Sequence, residues 1–107
     1  LMIALRDRLG AHPHVADIRG RGLFQAVEFV AERDTLAPFD PSVQLASRLK
    51  RVALAHGLAV YPSSGTIDGR LGDHAIVAPP YNATDADMAR IAELLGDAVD
   101  ATVAAIR

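Results

Sequence analysis

The sequence contains no cysteine among its 107 residues, which excludes disulfides and thiolate metal sites and fits a reducing compartment. It also lacks any apolar run near the roughly 20 residues of a membrane span, and its first residues do not form the basic-then-apolar pattern of a signal peptide. A strong net charge is missing as well, since the formal value is −2, and so neither a nucleic-acid surface nor a polybasic membrane contact is indicated. These absences predict a cytoplasmic protein with one modest domain, residues 1–107, and with no nucleic-acid or membrane partner.

Apolar periodicity and turn signals predict the element order α-β-β-α-β-β-α. Strands are expected over 15–19, 23–30, 58–61 and 74–78, with Pro62 ending the third. Helices are expected up to Leu9, over 43–56 after an Asp40-Pro41 start, and from the capping residue Thr84 onwards. This order indicates an α+β domain, a small and mostly antiparallel sheet covered by helices. The first helix has no N-cap, which indicates a piece of a longer polypeptide.

The second predicted strand, 23–30, is apolar on both of its faces. Its side chains alternate, so that one apolar set opposes another: Leu23, Val27 and Phe29 against Phe24, Ala26 and Val30. A strand of this kind needs cover on both faces. We expect that this chain alone does not supply that much cover.

A glycine-rich motif, Gly20-Arg21-Gly22, is similar to a nucleotide-binding loop. The dinucleotide fingerprint needs a third glycine and a following helix, whereas Gln25 stands at the third position and a strand follows. A tight turn or bulge between two strands is therefore the favoured interpretation.

Two motifs contain histidines that are candidate site residues. His12 and His14 flank a proline and have no third metal ligand nearby, so solvated loop histidines are favoured over a metal centre. Asp73 and His74 are neighbours on a predicted strand, and neighbouring strand residues point to opposite faces. These two side chains are therefore not expected to form a catalytic pair.

The glycine-rich segment 65–72 precedes the last predicted strand and carries Arg70. A guanidinium on a flexible loop can reach a carboxylate and fold away when none is present, although an ordinary surface arginine is the simpler alternative. Tyr61 and Tyr81 flank this region and are candidates to line a pocket, but packing at the core or its rim is the favoured interpretation for each. Arg70 is the one candidate binding residue.

Several ordered motifs resemble the C-terminal small domain of class III aminotransferases, which are pyridoxal-phosphate enzymes of fold type I. The first motif is Ile18-Arg-Gly-Arg-Gly-Leu-Phe24 before a strand, and the last is Gly72-Asp-His-Ala-Ile-Val-Ala-Pro-Pro80 before a capped helix. Ala37-Pro-Phe-Asp-Pro41 and Gly57-Leu-Ala-Val-Tyr-Pro62 lie between them at the expected positions. The resemblance covers nearly the whole chain.

The resemblance implies a larger homodimeric enzyme that moves an amino group between a small amine and a keto acid. Pyridoxal 5'-phosphate and the lysine that bonds it are expected in a large domain outside this chain. Lys50, the only lysine here, lies mid-helix and does not match that motif. No catalytic, cofactor-binding or metal residue is therefore assigned within the chain, and the chain alone is predicted to be inactive.

Arg70 resembles the arginine that binds the substrate carboxylate in amine:pyruvate-type members of this family. Ornithine-type members place an arginine inside the strand instead, where this chain has the apolar Ile76. The resemblance therefore implies transamination of an amine or an ω-amino acid. The alternative is a free-standing α+β ligand-binding or interaction module without catalysis.

Overall fold

The computed structural model describes residues 1–80 and 82–106, so that Tyr81 lies outside the described residues. The predicted element order is confirmed, with one additional 3₁₀ turn, Pro41–Val43, before the second helix. The elements are α1 (Met2–Leu9), β1 (Val15–Arg21), β2 (Phe24–Phe29), α2 (Leu45–Ala55), β3 (Tyr61–Ser64), β4 (Asp73–Val77) and α3 (Asp85–Ile106).

The strands form one four-stranded antiparallel sheet in the order β1-β2-β4-β3. Val27, at its centre, is paired with Ile18 on one side and Ala75 on the other. All three side chains are buried in a single cluster with apolar residues from α1, α2 and α3. The helices of the described chain therefore cover one face of the sheet, and the predicted α+β class is confirmed.

The other face of the sheet has no such cover within residues 1–80 and 82–106. Phe24 on β2 is 60% exposed and Tyr61 on β3 is 68% exposed, while Ala26 and Ile76 between them are half-buried. The described residues thus leave one face of β2 without cover, in line with the expectation that this chain alone does not cover both faces, although Leu23 lies in the hairpin turn and not on the strand. Val30 was placed on this face by the sequence pattern, but it follows the last residue of β2 and is buried.

The predicted position of β3 was wrong by three residues. The sequence pattern placed a strand over 58–61 that ended at Pro62, whereas the observed strand Tyr61–Ser64 contains Pro62. β3 is an edge strand that pairs with β4 alone, and an edge tolerates a residue without an N–H. Leu58 and Val60 are buried all the same, as part of the core cluster.

The predicted start of the second helix was also wrong. Asp40 does accept a hydrogen bond from the backbone N–H of Ser42 at 2.9 Å, but it caps only the 3₁₀ turn. Gln44 then adopts a left-handed conformation (φ 55°), which separates this turn from α2. The α-helix begins at Leu45 and lacks a side-chain cap from its own N-terminal residue.

The capping box predicted for the last helix is present. The backbone N–H of Asp87 donates to Oγ1 of Thr84 at 3.1 Å, and the N–H of Thr84 donates to Oδ2 of Asp87 at 2.9 Å. α3 then runs for 22 residues and buries Leu95 and Val99 against the other two helices and the sheet. No helix among the described residues has both the length and the apolar character needed to cross a membrane.

Candidate functional site

The segment that carries Arg70 is a hairpin loop between β3 and β4, and its backbone is held in place. The N–H of Gly65 donates to the carbonyl of Gly72 at 2.8 Å across the base of the loop. Oδ1 of Asp68 accepts hydrogen bonds from the N–H of Arg70 at 3.0 Å and of Leu71 at 2.7 Å. These two bonds lower the pKa of Asp68. Any movement that brings the guanidinium of Arg70 to a ligand is therefore expected from the side chain more than from the backbone.

Arg70 is exposed and lines a cleft of about 240 Å³ between this loop and the start of α2. Asp40 and Gln44 lie on the α2 side of the cleft, and Asp73 lies at the first position of β4. Among residues 1–80 and 82–106, no carboxylate oxygen comes within 4.0 Å of the guanidinium of Arg70. The guanidinium thus has its donors available to an anion.

Asp73 lies beside the start of α2, which lacks a side-chain cap of its own. Asp73 is 7% exposed. Burial raises the pKa of its carboxyl, whereas the backbone N–H of Ala46, in the first turn of α2, and the nearby His74 lower it. Asp73 therefore joins the end of the Arg70 loop to the N-terminus of α2 electrostatically.

Sequence reasoning missed this role of Asp73, although one signal for it exists. Gln44 is a weak residue at the N-terminal cap of a helix, so that the first amides of α2 need an acceptor from another part of the chain. The prediction that Asp73 and His74 do not pair is confirmed. Nδ1 of His74 lies 2.6 Å from Oγ1 of Thr66 in the loop, on the other side of β4 from the core.

The two loop histidines have structural partners. Nε2 of His12 lies 2.7 Å from Oδ1 of Asp100 on α3, and Nδ1 of His14 lies 3.0 Å from the carbonyl of Val30. No group of three metal-ligating side chains occurs in the described part of the chain. The interpretation of these residues as loop histidines is kept, but the prediction that they are solvated was wrong for His12, whose side chain is only 10% exposed because it packs against Asp100.

The Gly20-Arg21-Gly22 motif belongs to the β1–β2 hairpin. Arg21 pairs with Phe24, which leaves a two-residue loop that begins at Gly22 with φ 54°. Gly20 has φ 145° and lies against the backbone of Phe24. The motif makes a tight turn between two strands, as predicted, and is not followed by a helix.

Lys50 lies on α2 with its side chain exposed. It is not among the residues that line the Arg70 cleft. A lysine that bonds a carbonyl cofactor needs desolvation or a neighbouring cation to act as a nucleophile at neutral pH. The geometry around Lys50 provides no enclosed site for such a cofactor.

No protein-family model matches the chain, but curated proteins do. The chain is 40% identical over 102 residues, which is 95% of its own length, to an uncharacterised aminotransferase of Schizosaccharomyces pombe. It spans 22% of that protein. It is 45% identical over 96 residues to an aminotransferase of Gibberella zeae, of which it spans 19%. It is also 32% identical over 100 residues to a taurine–pyruvate aminotransferase of Rhodobacter capsulatus, of which it spans 21%. The chain thus spans about a fifth of the length of these relatives.

Solved structures match over almost the whole chain. An ω-aminotransferase from Paracoccus denitrificans superposes with a TM-score of 0.81 at 27% identity and covers 98% of this chain and 22% of its own. A pyridoxal-phosphate-bound aminotransferase mutant from Vibrio fluvialis has the same fold, with a TM-score of 0.82 at 24% identity, and this chain covers 23% of it.

Proposed function

We propose that this chain is the C-terminal small domain of a class III aminotransferase. The premise is that it corresponds to one domain of an aminotransferase. The enzyme moves an amino group from an amine or an ω-amino acid to a keto acid. The observation that carries this proposal is the match of 95% of the chain to a fifth of a curated aminotransferase. A match of that extent favours an enzyme domain over a free-standing ligand-binding or interaction module.

The proposed cofactor is pyridoxal phosphate, held by the rest of the polypeptide. When bound, this group supplies the electron sink that amino-group transfer needs. The described residues of this chain do not fit it, because Lys50 is exposed on α2 and lies outside the Arg70 cleft. The contribution of this domain is therefore to bind and orient substrate.

The proposed partners of the domain are the large domain of the same polypeptide and a second subunit of a homodimer. The uncovered face of the sheet supports such a contact, because Phe24 and Tyr61 are exposed there beside Ala26 and Ile76. Apolar patches of this kind mark surfaces that another protein segment covers. The homodimer and the cytoplasmic location stay predictions.

Arg70 is the residue that we assign to the substrate carboxylate. Its guanidinium is exposed, lines a cleft and has no carboxylate within 4.0 Å among the described residues. A guanidinium can bind a carboxylate through two parallel hydrogen bonds. Ile76, where ornithine-type enzymes place an arginine, is half-buried on β4 and cannot provide that contact.

The test is a comparison of the two half-reactions in the full-length enzyme that contains this chain. Hydrogen bonds to charged groups contribute roughly 1.5–3 kcal/mol, so Arg70→Ala is expected to lower kcat/KM for keto acids about 10- to 150-fold. The half-reaction with an amine that has no carboxylate is expected to change little. Arg70→Lys is expected to restore little activity if the contact is bidentate.

Arg51→Ala is a matched control, because Arg51 is exposed on α2 and its removal changes the net charge equally. It is expected to leave both half-reactions unchanged. Equal losses for the amine and the keto acid in Arg70→Ala would contradict the assignment. Arg70 would then support the structure of the loop, and the carboxylate would need a partner outside this chain.

A further inference from the structure

The cleft that contains Arg70 also contains negative charge of its own. Asp40 lies across the cleft, and its Oδ1 accepts the N–H of Ser42 at 2.9 Å. The side chain of Ser42 also interacts with this carboxylate and lowers its pKa, but within the described residues no cationic side chain comes within 4.0 Å of it. The cleft therefore holds a negative charge that no ion pair neutralises.

Asp68 and Asp73, the other two carboxylates near Arg70, are less able to attract its guanidinium across the cleft. The charge of Arg70 lowers the pKa of Asp68 as well, but Asp68 builds the loop by accepting two of its backbone N–H groups and does not line the cleft. Asp73 lines the cleft but is buried beside the start of α2. Asp40 is the exposed carboxylate of the cleft, and it stands on a segment separate from the loop.

The two charges act on each other at their present separation. The hydrogen bond from Ser42 is the largest cause that lowers the pKa of Asp40, and the charge of Arg70 adds to it. No ion pair closes within 4.0 Å among the described residues. Because hydrogen bonds to Asp68 and between Gly65 and Gly72 hold the loop backbone, the guanidinium is expected to approach Asp40 mainly by rotation of the side chain.

We infer that Asp40 is a specificity-determining residue, an internal carboxylate that competes with the substrate carboxylate for Arg70. This inference rests on the proposed function of Arg70. When the substrate has no carboxylate, Asp40 attracts the guanidinium to its own side of the cleft. When a keto acid enters, its carboxylate must displace that interaction, so Asp40 weakens keto-acid binding and favours uncharged amines.

Asp40→Asn separates the charge from the structural role. Asparagine caps a helical turn as well as aspartate does, so the bond to Ser42 is kept and only the charge is lost. Asp34→Asn is the matched control, since Asp34 is an exposed carboxylate that does not line the cleft. Both changes alter the net charge by the same amount.

The experiment measures both half-reactions of the full-length enzyme at low and high ionic strength. Exposed ion pairs are weak, so Asp40→Asn is expected to raise kcat/KM for a keto acid about two- to five-fold, mainly through KM. The gain should shrink as salt screens the charges, and Asp34→Asn should show none. In the Arg70→Ala background, Asp40→Asn should have no effect, because the residue it competes for is gone.

The possible failures are distinguishable. If Arg70→Ala lowers keto-acid turnover but Asp40→Asn leaves it unchanged or lowers it, Asp40 does not compete and the role of Arg70 stands. A gain from Asp40→Asn that persists without Arg70 would also overturn the inference, since the effect would then be a general one of charge. If Arg70→Ala changes neither half-reaction, the proposed function of Arg70 fails and this inference fails with it.

Discussion

Two glycines of the β1–β2 hairpin, Gly20 and Gly22, are predicted to tolerate substitution very differently. A Cβ atom on Gly20 would lie 2.1 Å from the carbonyl oxygen of Phe24 and 2.8 Å from Cα of Gln25. Both neighbours are backbone atoms, which cannot move without distorting the hairpin. A Cβ on Gly22 would meet no atom within 4 Å. The two glycines therefore lie close together in the sequence but differ greatly in the room that each leaves for a side chain.

The magnitude follows from adding two costs at Gly20. Its φ of 145° is a conformation that costs a residue with a side chain about 1–3 kcal/mol, and forcing a methyl group into occupied space costs about 1–3 kcal/mol more. Gly20→Ala is therefore expected to lower the free energy of unfolding by about 2–6 kcal/mol. At Gly22, φ is 54°, so Gly22→Ala should cost only about 1–2 kcal/mol. Gly22→Asn should cost less than Gly22→Ala, because asparagine tolerates this conformation.

The measurement is urea unfolding at low protein concentration, followed by circular dichroism. The free energies of unfolding of Gly20→Ala and Gly22→Ala are compared, with the dependence on urea concentration (the m-value) held equal for the two variants. A domain of about 100 residues has a total stability of about 5–15 kcal/mol, so Gly20→Ala is expected to remove a substantial part of that stability. Equal destabilisation by Gly20→Ala and Gly22→Ala would refute the steric argument. It would mean that the hairpin moves apart easily and that the close approach at Gly20 is not enforced.

Two further predictions concern Asp73 and Lys50. Burial raises the pKa of Asp73, so its charge reduces stability above the raised pKa and ceases to do so below the ordinary carboxyl pKa of 3.8. Asp73→Asn keeps an acceptor for the Ala46 amide but removes the charge, so it should raise Tm at pH 7. This gain in Tm should disappear near pH 3.5, and a gain that does not depend on pH would contradict the argument. The chain alone is expected not to retain pyridoxal phosphate, and a stoichiometric visible absorbance band that survives dialysis and is lost in Lys50→Ala would disprove that.

Local signals were sufficient where one segment determines its own structure. The Thr84–Asp87 capping box uses only residues of its own turn, and the prediction from sequence was right. The interpretation of Gly20-Arg21-Gly22 as a turn was right for the same reason.

Local signals failed where the structure of a segment is determined by distant parts of the chain, such as the neighbouring strands of the sheet. Pro62 ends a strand only if its missing N–H is needed by an adjacent strand, and the order of strands, which places β3 at the edge, cannot be derived from the local pattern. Gln44 interrupts the predicted helix because its left-handed conformation separates the 3₁₀ turn from α2, and the local pattern does not show this conformation. The interaction of Asp73 with the start of α2 cannot be seen locally either, because Asp73 lies 27 positions after Ala46.

The sheet order also explains why the Arg70 cleft exists. β4 lies between β2 and β3, so Asp73 at its first position is fixed by pairing with Phe29 on one side and Ser64 on the other. From this fixed point its carboxyl interacts with the first turn of α2, and α2 is anchored in the core by Leu45 and Leu49. The loop and the helix start that form the two walls of the cleft are therefore both tied to the core. The side chain of Arg70 is left as the movable part, which is what a residue that must accept one substrate and withdraw from another requires.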